Sequence, residues 1–231
     1  MLDLYQKQTK CLVALDSIIF GFDGEKLKLL LIKRGIEANE STWSLMGGWL
    51  QENESLDEAA ERIVYKLTGL RNLYLEQVLA FGQPKRDPIE RTVSVTYFAL
   101  INTTVYLQTS ELEYEGQWFD IDKLPHLLFD HIDMVNTSIK RLRNKAAFHP
   151  VGFELLPEKF TLPQLLNLYE AIFDQVFDRR NFSRKMIASG FISRLNEKQK
   201  GVSKKGAFFY KFNKTTQDNT FYLIPGINSL V

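Results

Sequence analysis

The chain has 231 residues, 45% of them hydrophobic, and its 29 Lys and Arg nearly balance 28 Asp and Glu for a net charge of +1. That length and apolar content exclude a disordered polypeptide and suit one large domain or two small ones. Cys11 is the single cysteine, which excludes an intramolecular disulfide; with no signal-like start and no long apolar run, the expectation is a cytoplasmic protein without a membrane partner.

Leu12 to Phe22 and Leu27 to Lys33 are apolar runs separated by Asp23-Gly24, which predicts a strand, a tight turn and a second strand. Trp43-Ser44-Leu45-Met46-Gly47-Gly48 reads as a strand running into a turn, since adjacent glycines suit positive φ or close backbone approach. Next, Leu56, Ala59, Ala60, Ile63, Val64 and Leu67 repeat at helical spacing, the stripe of a helix packed on a core. Packing explains those six but neither the Gly-Gly turn nor Glu54 six residues beyond Gly48. With them, the segment 48–70 resembles the Nudix box, Gly-x5-Glu-x7-Arg-Glu-U-x-Glu-Glu-x-Gly-U with U aliphatic. Gly48, Glu54, Arg62, Val64, Gly69 and Leu70 fall on their places, whereas Ile63, Lys66 and Leu67 stand where the motif has glutamates. Hard divalent ions need oxygen ligands, and Asp57, Glu58 and Glu61 cannot simply stand in for them. The expectation is therefore no metal site, no catalytic residue and no cofactor. Further strands are predicted around Leu75 to Phe81, Thr92 to Ile101 and Gly116 to Asp120, and a helix over Ile132 to Lys145. This order suits an α+β protein built on a Nudix α/β/α sandwich.

His149-Pro150-Val151-Gly152 interrupts the pattern and predicts two domains, 1–149 and 150–231. Charge divides there too: the first part carries a balance of -4, the second +5, and residues 179–214 hold eleven bases against one acid, Glu197. In the second part Thr161 and Gln164 form a capping box, with Phe160 and Leu165 at the staple positions. Leu165, Leu166, Tyr169, Ile172, Phe173 and Val176 make a helical stripe. After Asp178-Arg179-Arg180, Asn181 or Ser183 caps a second helix that Gly190 ends. Two helices joined this way outline a helix-turn-helix. Phe191 to Asn196 and Ala207 to Phe212 read as strands joined by a basic wing, 197–206. One-sided charge on this architecture points to double-stranded DNA. The candidate DNA-binding residues are Arg179, Arg180, Asn181, Ser183, Arg184, Lys185, Lys204, Lys205 and Lys211, while Phe182 and Met186 read as core.

Taken in order, Trp43 to Gly48, the degenerate box, Phe81-Gly82 with Arg86-Asp87-Pro88, Phe129-Asp130-His131, Phe160-Thr161-Leu162, Arg180-Asn181-Phe182 and Gly206 to Asn213 resemble the Nudix-related transcription regulators. Ser183 departs from the resemblance, which implies a further base there. The resemblance implies a silent Nudix domain that senses a small molecule, followed by a winged helix domain on operator DNA, in a homodimer. Of the family's two branches, one responds to ADP-ribose and the other to arabinose. Ile18 to Phe22 with Trp43 to Gly48 resembles the sugar-responsive branch, so a pentose, L-arabinose first, is the expected effector of a repressor of sugar-utilisation genes. The alternatives are an ADP-ribose-sensing regulator of NAD metabolism and an active Nudix pyrophosphatase. Lys33, Arg34, Trp43, Asp87, Arg91 and His131 are the candidate effector contacts. Each has a blander reading: Asp87 before Pro88 shaping a turn, Arg91 pairing with Glu90, His131 as a structural histidine.

Overall fold

Strand β1 (Leu12–Phe22) is buried on both faces because its side chains alternate between two cores. Ile18, Phe20 and Phe22 point into one and Leu15 and Ile19 into the other. In the computed structural model, which describes residues 4, 6–37, 40–103, 116–152, 154–199 and 206–213, this strand is the hub of a seven-stranded mixed sheet. β1 pairs antiparallel with β2 (Leu27–Glu37) and β4 (Met46–Trp49), and parallel with β6 (Thr92–Asn102). β3 (Glu40–Ser44) and β7 (Gly116–Asp120) pair with β2, and β5 (Glu76–Phe81) lies beyond β6.

A helix covers each face. The first, α1 (Leu56–Thr68), starts at a capping box between Ser55 and Glu58 and stops at Gly69, whose φ of 72° is the left-handed conformation that releases the chain. It buries Ala59, Ala60, Ile63, Val64 and Leu67 against Leu15, Ile19, Leu30 and Ile32. The second, α2 (His131–Phe148), buries Met134, Val135 and Leu142 against Ile18, Phe20, Leu29 and Leu31 on the opposite face. The α/β/α sandwich is the one its residues predict.

Beyond it lies the winged helix: β8 (Phe160–Thr161), α3 (Leu162–Phe173), α4 (Arg179–Ala188), β9 (Ile192–Gln199) and β10 (Ala207–Phe212), with the strands antiparallel in the order β8-β10-β9. The predicted Thr161–Gln164 capping box is present. Two local expectations change. Asp174 turns left-handed at φ 54° and ends α3, so Val176 lies outside the helix and is 91% exposed instead of lining its stripe. The cap of α4 is Asp178, whose carboxylate accepts from the Asn181 N–H at 2.7 Å, and neither Asn181 nor Ser183 caps it. Arg179 and Arg180 are thereby drawn into the first helical turn.

Packing does not pause where the sequence breaks. The hydrophobic cluster on the α2 side of the sheet runs on through Val151, Leu155 and Leu156 to Leu165, Leu168, Tyr169, Ile172, Phe182 and Tyr210. Gly152, at φ 116°, brings the chain so close to Leu168 that a Cβ there would collide with it. Arg143 on α2 donates to the Ile172 carbonyl on α3 at 2.7 Å. Thus α2 belongs to the packing of both parts. Among the described residues, no helix is long and apolar enough to cross a membrane.

Candidate effector cavity and nucleic-acid interface

Helix α1 keeps the scaffold of the box, and of the three positions where the box has glutamates Ile63 and Leu67 are packed in the core while Lys66 is exposed. Glu54 holds Arg62 through two bonds of 2.7 and 2.5 Å, and Arg62 also donates to the Trp49 carbonyl at 2.9 Å, locking the turn onto α1. Ile63 is 3% exposed and fills the space over Gly48, where a Cβ would come within 2.9 Å of it. Leu67 is buried in the same core. The neighbouring acids are engaged otherwise: Asp57 accepts from the Tyr97 hydroxyl at 2.6 Å, and Glu58 closes the capping box. No cluster of three potential metal ligands occurs among the described residues. Carboxylates are absent where a hard cation would need them.

Three of the six candidate effector contacts come together. Arg34, Asp87 and His131 line a cavity of about 80 Å³ with Asp16, Gly47, Gly48, Trp49, Arg86, Thr92 and Phe129. Its floor is a buried charge cluster. Asp16 accepts from the Ser94 hydroxyl at 2.6 Å and lies 3.6 Å from His131 Nε2 and 3.9 Å from Arg86. His131 Nδ1 accepts from the Leu45 N–H at 3.3 Å, which leaves the ring proton on Nε2 towards Asp16. Burial lowers the His131 pKa from its ordinary value, against the opposing pull of Asp16 and Asp130. Arg34 donates to the Gly47 carbonyl. Trp49 and Phe129 are partly exposed aromatics beside the polar floor. A second recess of about 650 Å³, lined by Phe81, Gln83, Pro84, Lys85, Asp130 and Asp133, shares Arg86 with the first.

The other three do not line this cavity. Arg91 donates to the carbonyls of Gly82, Thr92 and Gln83 at 3.0, 3.1 and 3.4 Å, so its guanidinium staples a loop. Trp43 meets Phe119 edge-on with centroids 4.7 Å apart, and its cross-strand partner Lys33 alternates with Arg34 to the other face of β2. Asp87, although at the cavity wall, accepts from the Ile89 N–H at 2.9 Å and shapes a turn. Asp16, Arg86, Trp49 and Phe129 escape the sequence reading. The available signals were an acid inside the apolar run of β1 and the place of Arg86 and Phe129 in two of the stretches that carry the family resemblance.

On the winged helix, Arg179, Arg180, Asn181 and Arg184 are exposed along the start of α4, with Ser183 and Lys185 half-buried between them. Phe182 and Met186 are buried on its inner face, as packing predicts. Arg184 donates to Asn181 Oδ1 at 3.0 Å, so these two candidate DNA contacts share one face of the helix. Lys211 is exposed on β10; Lys204 and Lys205 lie outside the described residues. Arg194 and Lys198 on β9 stand over the Phe208 ring at 4.6 and 4.5 Å from its centroid. They extend the basic surface from the helix onto the strands.

Residues 12–137 match the model of the Nudix domain, and residues 152–212 match that of the NrtR DNA-binding winged helix domain. The chain is 35% identical, over 91% of its length and 85% of the relative's, to an Acinetobacter baylyi protein named ADPR responsive transcriptional repressor NtrR. The crystal structure of Shewanella oneidensis NrtR complexed with a 27mer DNA superposes with a TM-score of 0.74 at 25% identity, covering 87% of this chain and 93% of that one. The NUDIX domain of the same Shewanella protein complexed with ADP ribose superposes with a TM-score of 0.51 at 27% identity, over 59% of this chain and 92% of that one. None of these three relatives supports the expected preference for arabinose.

Proposed function

The chain belongs to the Nudix-domain transcriptional repressors that carry an NrtR DNA-binding winged helix, and on that premise we propose that its effector is ADP-ribose and that its Nudix domain binds this ligand without hydrolysing it. The likeness to an ADP-ribose-responsive repressor across nine-tenths of the chain carries the reading. The chemistry of the cavity supports it. A diphosphate calls for cations, and Arg34, Arg86 and the adjoining Lys85 supply them; an adenine calls for apolar or aromatic walls, and Trp49, Phe129 and Phe81 stand beside them. A neutral pentose would accept hydrogen bonds from these arginines but would leave their charge unmatched, which a diphosphate would not. Ile63 packed over Gly48 supports silence, since hydrolysis of the diphosphate would require a metal-activated water.

In this proposal residues 1–149 sense and residues 150–231 read, and the protein binds as a homodimer to a two-fold operator, so that two copies of α4 enter successive major grooves. ADP-ribose binding to the Nudix domain releases the DNA. Titration calorimetry with ADP-ribose and L-arabinose side by side, followed by competition against bound operator, tests it. Heat and DNA release with ADP-ribose alone are expected; a response to the pentose alone would overturn the reading.

A further inference from the structure

Asp130 occupies the N-cap position of α2 and does not cap it. Its carboxylate makes no bond to the first-turn N–H groups. Instead it grips Arg86 in a two-point pair, Nε to Oδ2 at 2.9 Å and Nη2 to Oδ1 at 2.7 Å. The Arg86 side chain is 3% exposed, yet it forms part of the wall of both recesses. An aspartate at this position would ordinarily satisfy the orphan donors of its own helix. Here it is diverted. The residue before it, Phe129, is held at φ 48°, a left-handed conformation unfavourable to a side chain with a Cβ.

These three features meet at one end of the helix whose other end packs on the winged helix, through Leu142, Ala146 and the bond from Arg143 to the Ile172 carbonyl. We propose that Arg86 is the residue that binds the diphosphate of the effector, and that Asp130 is its built-in competitor, which leaves Arg86 on ligand binding and caps α2. The inference rests on the ADP-ribose reading. An incoming diphosphate would lie beside the carboxylates of Asp130 and Asp16, and like charges so close repel. Asp16 is fixed by Ser94 and faces His131. Asp130, the more exposed of the two, has an alternative set of donors within its own helix. When the ligand takes the guanidinium, Asp130 turns to those donors, Phe129 is freed from its strained backbone, and the first turn of α2 resets. The shift travels along a rigid helix to α3 and hence to α4. Both states exchange one ion pair for another, so the difference between them is small enough for a ligand to reverse.

The test uses the full chain with Asp130→Ser, which keeps a capping side chain and removes the competitor. ADP-ribose affinity by calorimetry should rise about tenfold, and adenosine, which lacks phosphate, should show no such gain. Operator affinity should already be weakened, so the factor by which ADP-ribose lowers it should shrink towards one. Arg86→Gln should lose ADP-ribose affinity by at least about tenfold. A merely structural pair predicts the opposite sign at Asp130, with both variants binding ADP-ribose more weakly. Asp130→Asn, nearly isosteric, should move in the same direction as the serine variant and serves where the latter fails to fold. Wild-type binding with unchanged or weakened affinity in the Asp130 variants would overturn this inference and leave the effector reading standing; no wild-type binding of ADP-ribose would overturn both.

Discussion

The salt dependence of DNA binding follows from the cations on the reader. Arg179, Arg180 and Arg184 on α4, Arg194 and Lys198 on β9 and Lys211 on β10 are all exposed. If about six phosphates are neutralised per bound copy, log K against log[salt] falls with a slope of about -5, and a fourfold rise in salt weakens binding about a thousandfold. The informative perturbation is Arg194→Ala with Lys198→Ala, because these two stand on a strand and not on α4, the proposed base-reading helix. Removing them should bring the slope to about -3.5 and weaken every duplex alike. Asn181→Ala should leave the slope alone and blur the choice of bases, since a neutral amide displaces no counterion. Fluorescence anisotropy with a labelled duplex over a sodium chloride series gives the slopes, circular dichroism confirms the fold, and selection from random duplexes gives the base preference. A wild-type slope near zero, or a double variant with the wild-type slope, would remove β9 from the interface and refute the assignment.

The protein should not turn over ADP-ribose with Mg2+ or Mn2+ as followed by chromatography; metal-dependent turnover abolished by Glu54→Gln would contradict the packing of Ile63 over Gly48. Phe182→Ala should destabilise the protein by about 3–5 kcal/mol, measured by urea unfolding, because this ring packs edge-on against Tyr169 at 5.3 Å; a cost below about 1 kcal/mol would mean that α4 is not seated as described. Because burial depresses the His131 pKa, the folded state resists protonation: its contribution is complete above the ordinary value of 6.5 and is lost as pH falls from there through the lower folded value. Melting temperatures should therefore decline below about pH 6.5, before ordinary carboxylates titrate, and His131→Asn should flatten that part of the profile; an unchanged profile would exclude the histidine as its source.

The sandwich was legible because its strands are long apolar runs and its first helix carries an uninterrupted stripe. The wing's helices were legible through Thr161–Gln164 and the clustered bases. The start of α4 was misread because Asp178, Asn181 and Ser183 all have capping side chains, and only the backbone decides among them. The cavity was less accessible to spacing arguments, since Asp16, Arg86, Asp130 and His131 come from β1, two loops and α2, and nothing in their separation along the chain announces a meeting. The pentose preference had a physical weakness. It leaned on Ile18 to Phe22 with Trp43 to Gly48, yet Ile18, Phe20 and Phe22 are core side chains outside the cavity lining, which only Gly47 and Gly48 of the second stretch join. Likeness there reports packing.

The core that runs unbroken from the sheet through α2 to Phe182 and Tyr210 makes stability a shared variable. A chain cut at Pro150 would keep α2 packed on the sheet through Met134, Val135 and Leu142 but would strip α3 of its contacts with α2, so the winged helix alone is expected to be the less stable half. Unfolding of the whole should be one cooperative transition. A small molecule bound in the cavity and a duplex bound at α4 then draw on the same equilibrium between folded and unfolded chain, and each should raise one common melting temperature by mass action. Through that shared core a substitution at one end of α2 is expected to change the stability measured at the other.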